Sequence, residues 1–272
     1  MSAPSPSARA RGTSPAAFTL VELLVVVGII AILVAILMPS LGKARKQAAG
    51  VQCLSNVSQL VAAYNMYLNE NKGRSFIYRA AMDDYWIDQL RPFHTNVDAL
   101  RFCPAPQARS PGGWGSATEH WFKYRDGSYG LNGWLYRLVG NAHPEGVGSD
   151  GGIGYSRGTL TPQQAFARYV RTSTRETSRV PAFADCVWPN GWPRDTDAPP
   201  PNLQSGPRLM GGGAPNEPML ARFTIARHDK RISVAFLDGH AEHVRLGQLK
   251  ALKWHEDFNY DEVDWPARLP KQ

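Results

Sequence analysis

The sequence predicts an α+β protein in which one long N-terminal helix packs on an antiparallel β-sheet with long loops. Three observations predict this arrangement. An apolar run at 18–38 leads into apolar side chains at helical spacing. Short apolar pieces broken by glycine and proline follow, which is typical of short strands and loops. An Asp-Gly pair between two alternating runs then predicts a hairpin near the C-terminus.

The first element is the run from Phe18 to Met38, which is apolar except for Thr19 and Glu22. About twenty apolar residues in a helix span the hydrocarbon core of a bilayer, so 18–38 is predicted to cross a membrane. A carboxylate at the centre of a membrane costs roughly 2.5 to 3.5 kcal/mol, which makes Glu22 a candidate functional residue. The alternative is a cleaved signal peptide or a plain signal anchor. The run is longer than a signal peptide requires and leads into Pro39 and basic residues rather than a cut site.

The residues around the start of the run carry a family resemblance. Ala16 to Glu22 reads Ala-Ala-Phe-Thr-Leu-Val-Glu, and this junction resembles the processing site of type IV prepilins and type II secretion pseudopilins. The resemblance implies a leader at 1–17, cleavage between Ala17 and Phe18 by prepilin peptidase, and methylation of the new amine. It further implies that Glu22 neutralises the terminal amine of a neighbouring subunit during assembly. Ala17 stands where the family usually has glycine.

The second half of the helix is predicted at 39–72, as an amphipathic continuation. Its apolar face repeats at steps of three and four residues, and this face should pack on a globular domain. Gly73 is predicted to be the left-handed cap of the helix, so the soluble domain is predicted to occupy 73–272. The residues of the apolar face are Leu54, Val57, Val61, Tyr64 and Leu68.

The most readable part of the soluble domain is the predicted hairpin. Asp238-Gly239 predicts a type I′ turn between strands at 231–237 and 240–246, with Val234 facing His243. Here the chain resembles a subgroup of large prepilin-like proteins with a histidine, nine residues and then Asp-Gly, a spacing that His228 and Asp238 fit. The same subgroup is suggested by Cys53-Leu-Ser-Asn56, Cys103-Pro104, Ser128-Tyr-Gly130 and Lys253-Trp254-His255.

The histidines and aspartates near the hairpin invite a catalytic or metal-binding interpretation. Extended residues rise about 3.3 Å each, so His228 and Asp238 should lie on the order of 25 to 30 Å apart in one strand. We therefore assign His228, Asp238 and Gly239 structural roles and expect no metal and no cofactor. A metal at His240 with Asp185 is the alternative, and it needs at least two further ligands.

Three cysteines allow three disulfide pairings, with one thiol left over, or a fully reduced set. Outside the cytoplasm disulfides are allowed. Cys53 lies on the packing half of the helix and Cys103-Pro104 begins a candidate sheet segment, so Cys53 and Cys103 are the favoured pair. Cys186 is then the free thiol.

The net charge and the motifs that the sequence lacks argue against two classes of function, nucleic-acid binding and catalysis. The net charge of +7 falls to +5 when Arg9 and Arg11 leave with the leader, and no run of basic residues exceeds two, so no nucleic-acid partner is expected. No nucleophile elbow, P-loop or His-Glu-x-x-His motif occurs, so we expect no enzyme.

The sequence therefore predicts a single-pass protein of the cytoplasmic membrane, with a cytoplasmic N-terminus and an extracytoplasmic domain. Its predicted partners are prepilin peptidase, the membrane and other pilin or pseudopilin subunits in a pilus-like or type II secretion filament. The alternative is a monomeric membrane-anchored binding protein or enzyme that uses only the prepilin export route.

Overall fold

The computed structural model describes residues 19–77, 86–106, 108–123, 125–136, 174–200, 202–204 and 218–259. The chain divides into two compact units, with the boundary between Arg45 and Lys46. Helix α1 runs from Leu20 to Glu70 and contributes to both units. The α+β class predicted from the sequence is confirmed.

The described part of the first unit is mainly the N-terminal half of α1, up to Arg45. Between Leu20 and Leu41 every large apolar side chain is at least 43% exposed. Among the described residues, α1 is the one helix that is long and apolar enough to cross a membrane. Pro39 lies within the helix.

In the second unit α1 buries one face. The buried face is rotated slightly from the predicted apolar face, since Leu54 and Leu68 of the predicted face are only half-buried. The helix ends in a Schellman motif, in which the Gly73 amide donates to the Leu68 carbonyl at 2.7 Å. Lys72 and Gly73 both have positive φ, 56° and 74°. The buried residues of α1 are Gly50, Cys53, Asn56, Val57, Leu60, Val61, Ala63 and Tyr64.

Two sheets, two short α-helices and five 3-10 helices complete the described part of the second unit. The α-helices are α2, Trp86–Leu90, and α3, Val97–Leu100. A three-stranded sheet has the order β1-β2-β3, and a five-stranded sheet has the order β6-β4-β5-β7-β8. The strands are β1 Ala108–Arg109, β2 Glu119–Lys123, β3 Arg125–Gly127, β4 Tyr129–Asn132, β5 Pro181–Asp185, β6 Asn190–Gly191, β7 Arg231–Phe236 and β8 Ala241–Arg245.

The sheets are mixed: four strand pairs are antiparallel, as the sequence predicts, and two are parallel. β1 pairs in parallel with β2, and β6 pairs in parallel with β4. β6 cannot pair with β5, because β4 and β7 already occupy the two edges of β5. After β5 the chain reverses and β6 joins the outer edge of β4. Since β4 and β6 both run opposite to β5, they are parallel to each other.

The five-stranded sheet has a core on both faces. On one face, α1 packs against β4 and β5, with the rings of Tyr64 and Phe183 5.9 Å apart. On the other face, Ile232, Val234 and Phe236 of β7 belong to a second apolar cluster with Trp254 and other residues of the C-terminal segment. β5 is therefore buried along its whole length.

The hairpin β7–β8 forms, but the predicted type I′ turn and register are wrong. Val234 pairs with Glu242 and not with His243. The loop has three residues, 237–239, because the Phe236 amide donates to the His240 carbonyl at 2.9 Å. Of the three, only Gly239 has positive φ, at 102°. This corresponds to the three-residue hairpin connection with glycine at the left-handed position.

A tight turn with two left-handed residues lies instead at the start of β7. Asp229 and Lys230 have φ of 54° and 58°. His228 and Arg231 exchange both of their backbone hydrogen bonds, at 3.1 and 3.2 Å, around these two residues. The positive φ at both central positions is the signature of a type I′ turn. The turn fixes His228 beside the end of β7 that is remote from Asp238.

Candidate functional site

The N-terminal site begins at Thr19, because Ala17 and Phe18 lie outside the described residues. The Glu22 carboxylate Oε2 accepts hydrogen bonds from the Thr19 amide at 2.9 Å and from its hydroxyl at 2.7 Å. In return, Thr19 Oγ1 accepts the Glu22 amide at 3.2 Å. This reciprocal pattern is a capping box, which satisfies amides that the first turn of a helix leaves without partners. The carboxylate that the sequence singled out therefore also stabilises its own helix.

A second group of ionisable side chains lies around His228, which is buried with its side chain 6% exposed. Its Nε2 lies 3.4 Å from Asp185 Oδ2 and 3.3 Å from Cys103 Sγ. Its ring is 5.5 Å from that of His243. Helix α1 approaches both histidines closely at Gly50, where a Cβ would lie 3.3 Å from His243 Nε2. A side chain larger than hydrogen at Gly50 would press on this pair.

Asp185 is fully buried at the end of β5. Its Oδ1 accepts Arg227 Nη1 at 3.0 Å, and its Oδ2 accepts the Ser233 amide at 2.7 Å. Burial alone would raise the pKa of this carboxyl. The neighbouring His228, the Arg227 guanidinium and the Ser233 amide outweigh that effect and lower the pKa of Asp185 to about 2. The carboxyl is therefore ionised at neutral pH.

Arg227 supplies the charge opposite Asp185 and connects several segments. Its Nη1 also donates to the Ser128 carbonyl at 2.5 Å, and its Nη2 donates to the Ser116 carbonyl at 3.0 Å and the Cys186 carbonyl at 3.2 Å. The planar guanidinium has five N–H donors in a fixed geometry, so it suits several carbonyls at once. The ion pair with Asp185 is wholly buried.

The structure does not bring His228 and Asp238 together. The Asp238 carboxylate accepts the His240 amide at 3.1 Å and lies 2.6 Å from His240 Nδ1. The His240 ring stacks on Phe236 with centroids 4.3 Å apart. Asp185 contacts His228, so the alternative of a metal at His240 with Asp185 finds no support among these contacts.

A disulfide joins Cys53 of α1 to Cys103, with Cα atoms 5.1 Å apart. Cys103 lies outside the strands, so the sheet segment expected at Cys103-Pro104 is absent from the described fold. Cys186 is free and buried, and burial raises the pKa of its thiol to about 12. The donor atoms of Cys53, Cys103 and His228 lie within 4.8 Å of one another, but the two sulfurs are bonded to each other, so His228 packs against the disulfide.

Sequence reasoning missed that Arg227 and Asp185 form this site together with His228. The three residues come from β5 and the turn before β7, which are remote in the sequence. The usable signal was a charged residue at the end of a fully apolar strand, since a buried charge is retained only with a partner. His228 was recognised through motif spacing, but its partners were not.

Comparison with known proteins bears on the N-terminal site. Residues 14–38 match the family model described as the prokaryotic N-terminal methylation motif, which covers the predicted cleavage site and apolar run. No curated protein and no solved structure matches the chain. The chain thus carries a prepilin-type N-terminus on an apolar helix. This combination supports a membrane-anchored, pilin- or pseudopilin-like substrate of prepilin peptidase, with one candidate membrane span among the described residues.

Proposed function

We propose that the protein is a non-enzymatic subunit of a pilus-like or type II secretion filament. It is cut between Ala17 and Phe18, methylated on the new amine, and assembled through helix α1 from the inner membrane. The observation that carries the proposal is the methylation motif at 14–38, which coincides with the exposed apolar part of α1.

The exposed side chains of this part of α1 support packing in lipid and then against other helices. Burying a single Val, Leu or Ile side chain stabilises by about 1.5 to 3 kcal/mol, so a helix with this many exposed ones is not stable alone in water. The membrane supplies the first apolar environment and neighbouring subunits supply the second. In that second environment helices associate through close packing and polar contacts.

Glu22 supplies the polar contact in this mechanism. Both hydrogen bonds from Thr19 use Oε2 of the carboxylate. Oε1 is then available to accept the methylated amine of a neighbouring subunit. A charge in an apolar environment is strongly destabilised without a partner, so pairing fixes the offset between adjacent helices.

The disulfide between Cys53 and Cys103 supports a domain outside the cytoplasm, because disulfides persist in oxidising compartments. Processing requires a cytoplasmic leader, which gives the same orientation. We further assign the chain to the subgroup with histidine, nine residues and Asp-Gly, on the spacing of His228 and Asp238.

The first test expresses the full chain in a bacterium with and without its prepilin peptidase and measures the intact mass of the membrane fraction. The expected product starts at Phe18 with one added methyl group, and only when the peptidase is present. Ala17→Gly should be processed at least as well, while Ala17→Leu should block cleavage. Retention of Met1 in cells with an active peptidase would overturn the proposal.

The second test concerns assembly. Surface filaments are sheared from cells and probed for this chain, with the peptidase-deficient strain as control. Processed protein that stays wholly in the membrane, with no chain in the sheared fraction, would favour the monomeric membrane-anchored binding protein.

A further inference from the structure

Three basic side chains follow the apolar part of α1 and form a basic flank: Lys43, Arg45 and Lys46, all of which are exposed. They are the only charged residues of α1 between Glu22 and Glu70. Within the described parts of the chain, none of the three forms an ion pair or a side-chain hydrogen bond. Their charges are therefore available to a partner outside the chain.

The helix holds the basic flank at a defined height beyond the apolar run. α1 continues unbroken through this region, where the Ser40 hydroxyl donates to the Leu37 carbonyl at 2.8 Å. At 1.5 Å per residue, Lys43 lies about 7.5 Å and Lys46 about 12 Å beyond the end of the run. A hydrocarbon core of about 30 Å within a bilayer of about 40 to 45 Å leaves about 5 to 7.5 Å for each headgroup layer. The flexible stems of lysine and arginine therefore place these charges among the headgroups.

The distribution of the charges around the helix favours lipid headgroups over a protein partner. At about 100° per residue, Lys43 and Lys46 are about 60° apart and Arg45 extends the basic flank to about 160° of the helix surface. A single carboxylate of a neighbouring protein does not reach charges spread this widely, whereas headgroups surround the helix. A neighbouring copy of α1 has no carboxylate between Glu22 and Glu70 to offer. Phosphate oxygens accept strong, charge-assisted hydrogen bonds from both lysine and arginine.

The basic flank also lies on the less common side of the membrane. Excess lysine and arginine normally mark the cytoplasmic flank of a span. With a cytoplasmic leader, the basic flank is extracytoplasmic, and cleavage after Ala17 removes Arg9 and Arg11 from the cytoplasmic side. The mature chain then has basic side chains next to its span at the outer surface only.

We propose that Lys43, Arg45 and Lys46 bind the phosphate groups of anionic lipids in the outer leaflet of the cytoplasmic membrane. The contact fixes the end of the span at the membrane surface, and its electrostatic attraction falls as the salt concentration rises. The proposal rests on the membrane insertion of α1 in the proposed function, but it requires neither cleavage nor filament assembly.

The test uses the full, uncleaved chain, reconstituted into phosphatidylcholine vesicles with traces of spin-labelled phosphatidylglycerol or spin-labelled phosphatidylcholine. The motionally restricted fraction of each label gives the relative affinity of the two lipids for the chain. At low salt we expect at least about a twofold preference for phosphatidylglycerol, because each basic residue near an anionic headgroup adds attraction. The preference should disappear in about 1 M salt, where the Debye length is about 3 Å.

Variants assign the preference to the basic flank. The triple variant Lys43→Gln, Arg45→Gln, Lys46→Gln should associate equally with both lipids. The charge-conserving Lys43→Arg, Lys46→Arg should keep the preference. Arg74→Gln with Arg245→Gln removes exposed cations elsewhere in the chain and should leave the preference unchanged.

Extraction with alkaline carbonate separates this proposal from the proposed function. A parent chain that carbonate removes from the vesicles is not inserted, which would overturn both. Equal association of the two lipids with an inserted parent, or an unchanged preference in the triple variant, would refute lipid binding alone. If that parent shows no preference and the triple variant loses sheared filaments, the basic flank contacts a neighbouring subunit instead.

Discussion

Thr19 and Glu22 cap each other: the Glu22 carboxylate accepts the amide and the hydroxyl of Thr19, and the Thr19 hydroxyl accepts the Glu22 amide. The contact gives Glu22 two separable roles. As a cap it needs only an acceptor oxygen, which glutamine also supplies. As a partner for a neighbouring amine it needs a negative charge, which glutamine lacks.

The first prediction separates these roles. Glu22→Gln should keep the cap and membrane insertion but lose filaments. A charge-assisted hydrogen bond contributes roughly 1.5 to 3 kcal/mol, so its loss should reduce assembly more than tenfold. Sheared filaments and membrane fractions of Glu22→Gln and Glu22→Ala, quantified by immunoblot, provide the measurement. Normal filaments from Glu22→Gln would leave Glu22 with capping as its only function.

The second prediction concerns Gly239. A Cβ at this position would meet only Asn65 Nδ2, at 3.8 Å, so space is not limiting. The φ of 102° is, however, unfavourable for any residue with a side chain. Gly239→Val should therefore lower the free energy of unfolding by roughly 1 to 3 kcal/mol, and Gly239→Asn by less. Urea unfolding of the detergent-solubilised chain checks this order, and equal stability of both variants with the parent would contradict it.

The hairpin also illustrates what the sequence could predict. Alternating residues on both sides of Asp238-Gly239 predicted two strands, and β7 and β8 occur there. The turn type failed because Asp238 binds His240 through its side chain while the loop takes in Leu237, which shifts the register by one residue. The true type I′ turn uses Asp229 and Lys230. Aspartate is common in such turns, but the lysine stands where glycine is preferred, so the pair gave no signal.

The long helix and the N-terminal site were predictable because both depend on local sequence. The apolar run predicts α1 directly, and the Thr-Leu-Val-Glu segment is itself a capping-box pattern. The cluster of Asp185, Arg227 and His228 depends on the pairing of β5 with β7, whose partners lie about fifty residues apart. No periodicity or spacing contains that information.

The third prediction is a pH dependence that involves His120, whose Nδ1 lies 2.6 Å from Ser128 Oγ. Burial, and next the positive charge of Arg227, lower the pKa of this histidine below the usual 6.5, against a smaller opposite effect of Asp126. The unfolded chain therefore binds this proton more readily than the folded chain does. The contribution of neutral His120 to the free energy of unfolding is therefore complete above pH 6.5 and is lost as the pH falls below that value.

The melting temperature of the detergent-solubilised chain should therefore decrease from pH 7.5 to pH 5.5. His120→Asn keeps a polar atom near Ser128 but does not titrate, so its curve should be flatter. His243, whose pKa is lowered chiefly by burial, contributes in the same direction, so the variant should retain part of the slope. A titration of the His120 ring by NMR with a midpoint above 6.5 would contradict the argument.

The last prediction concerns Arg227 as the connection between segments of the soluble domain. Its guanidinium pairs with Asp185 and donates to carbonyls of three separate segments, at Ser116, Ser128 and Cys186. Arg227→Met removes all of these bonds and leaves the buried Asp185 carboxylate without the guanidinium of its ion pair. Breaking a buried ion pair on one side costs about 3 to 5 kcal/mol, so the free energy of unfolding should fall by that amount.

Arg227→Lys should be almost as damaging, because one ammonium with three donors cannot span the carbonyls that the planar fork reaches. Arg245 is exposed on β8, so Arg245→Met serves as the control. It should change the free energy of unfolding by no more than about 0.5 kcal/mol. Urea unfolding of the three variants at pH 7, followed by near-ultraviolet circular dichroism, provides the comparison. We expect Arg227→Lys to lose stability because the hydrogen-bond geometry of the guanidinium matters as well as its charge. A lysine variant as stable as the parent would contradict this and show that a positive charge alone stabilises the buried Asp185.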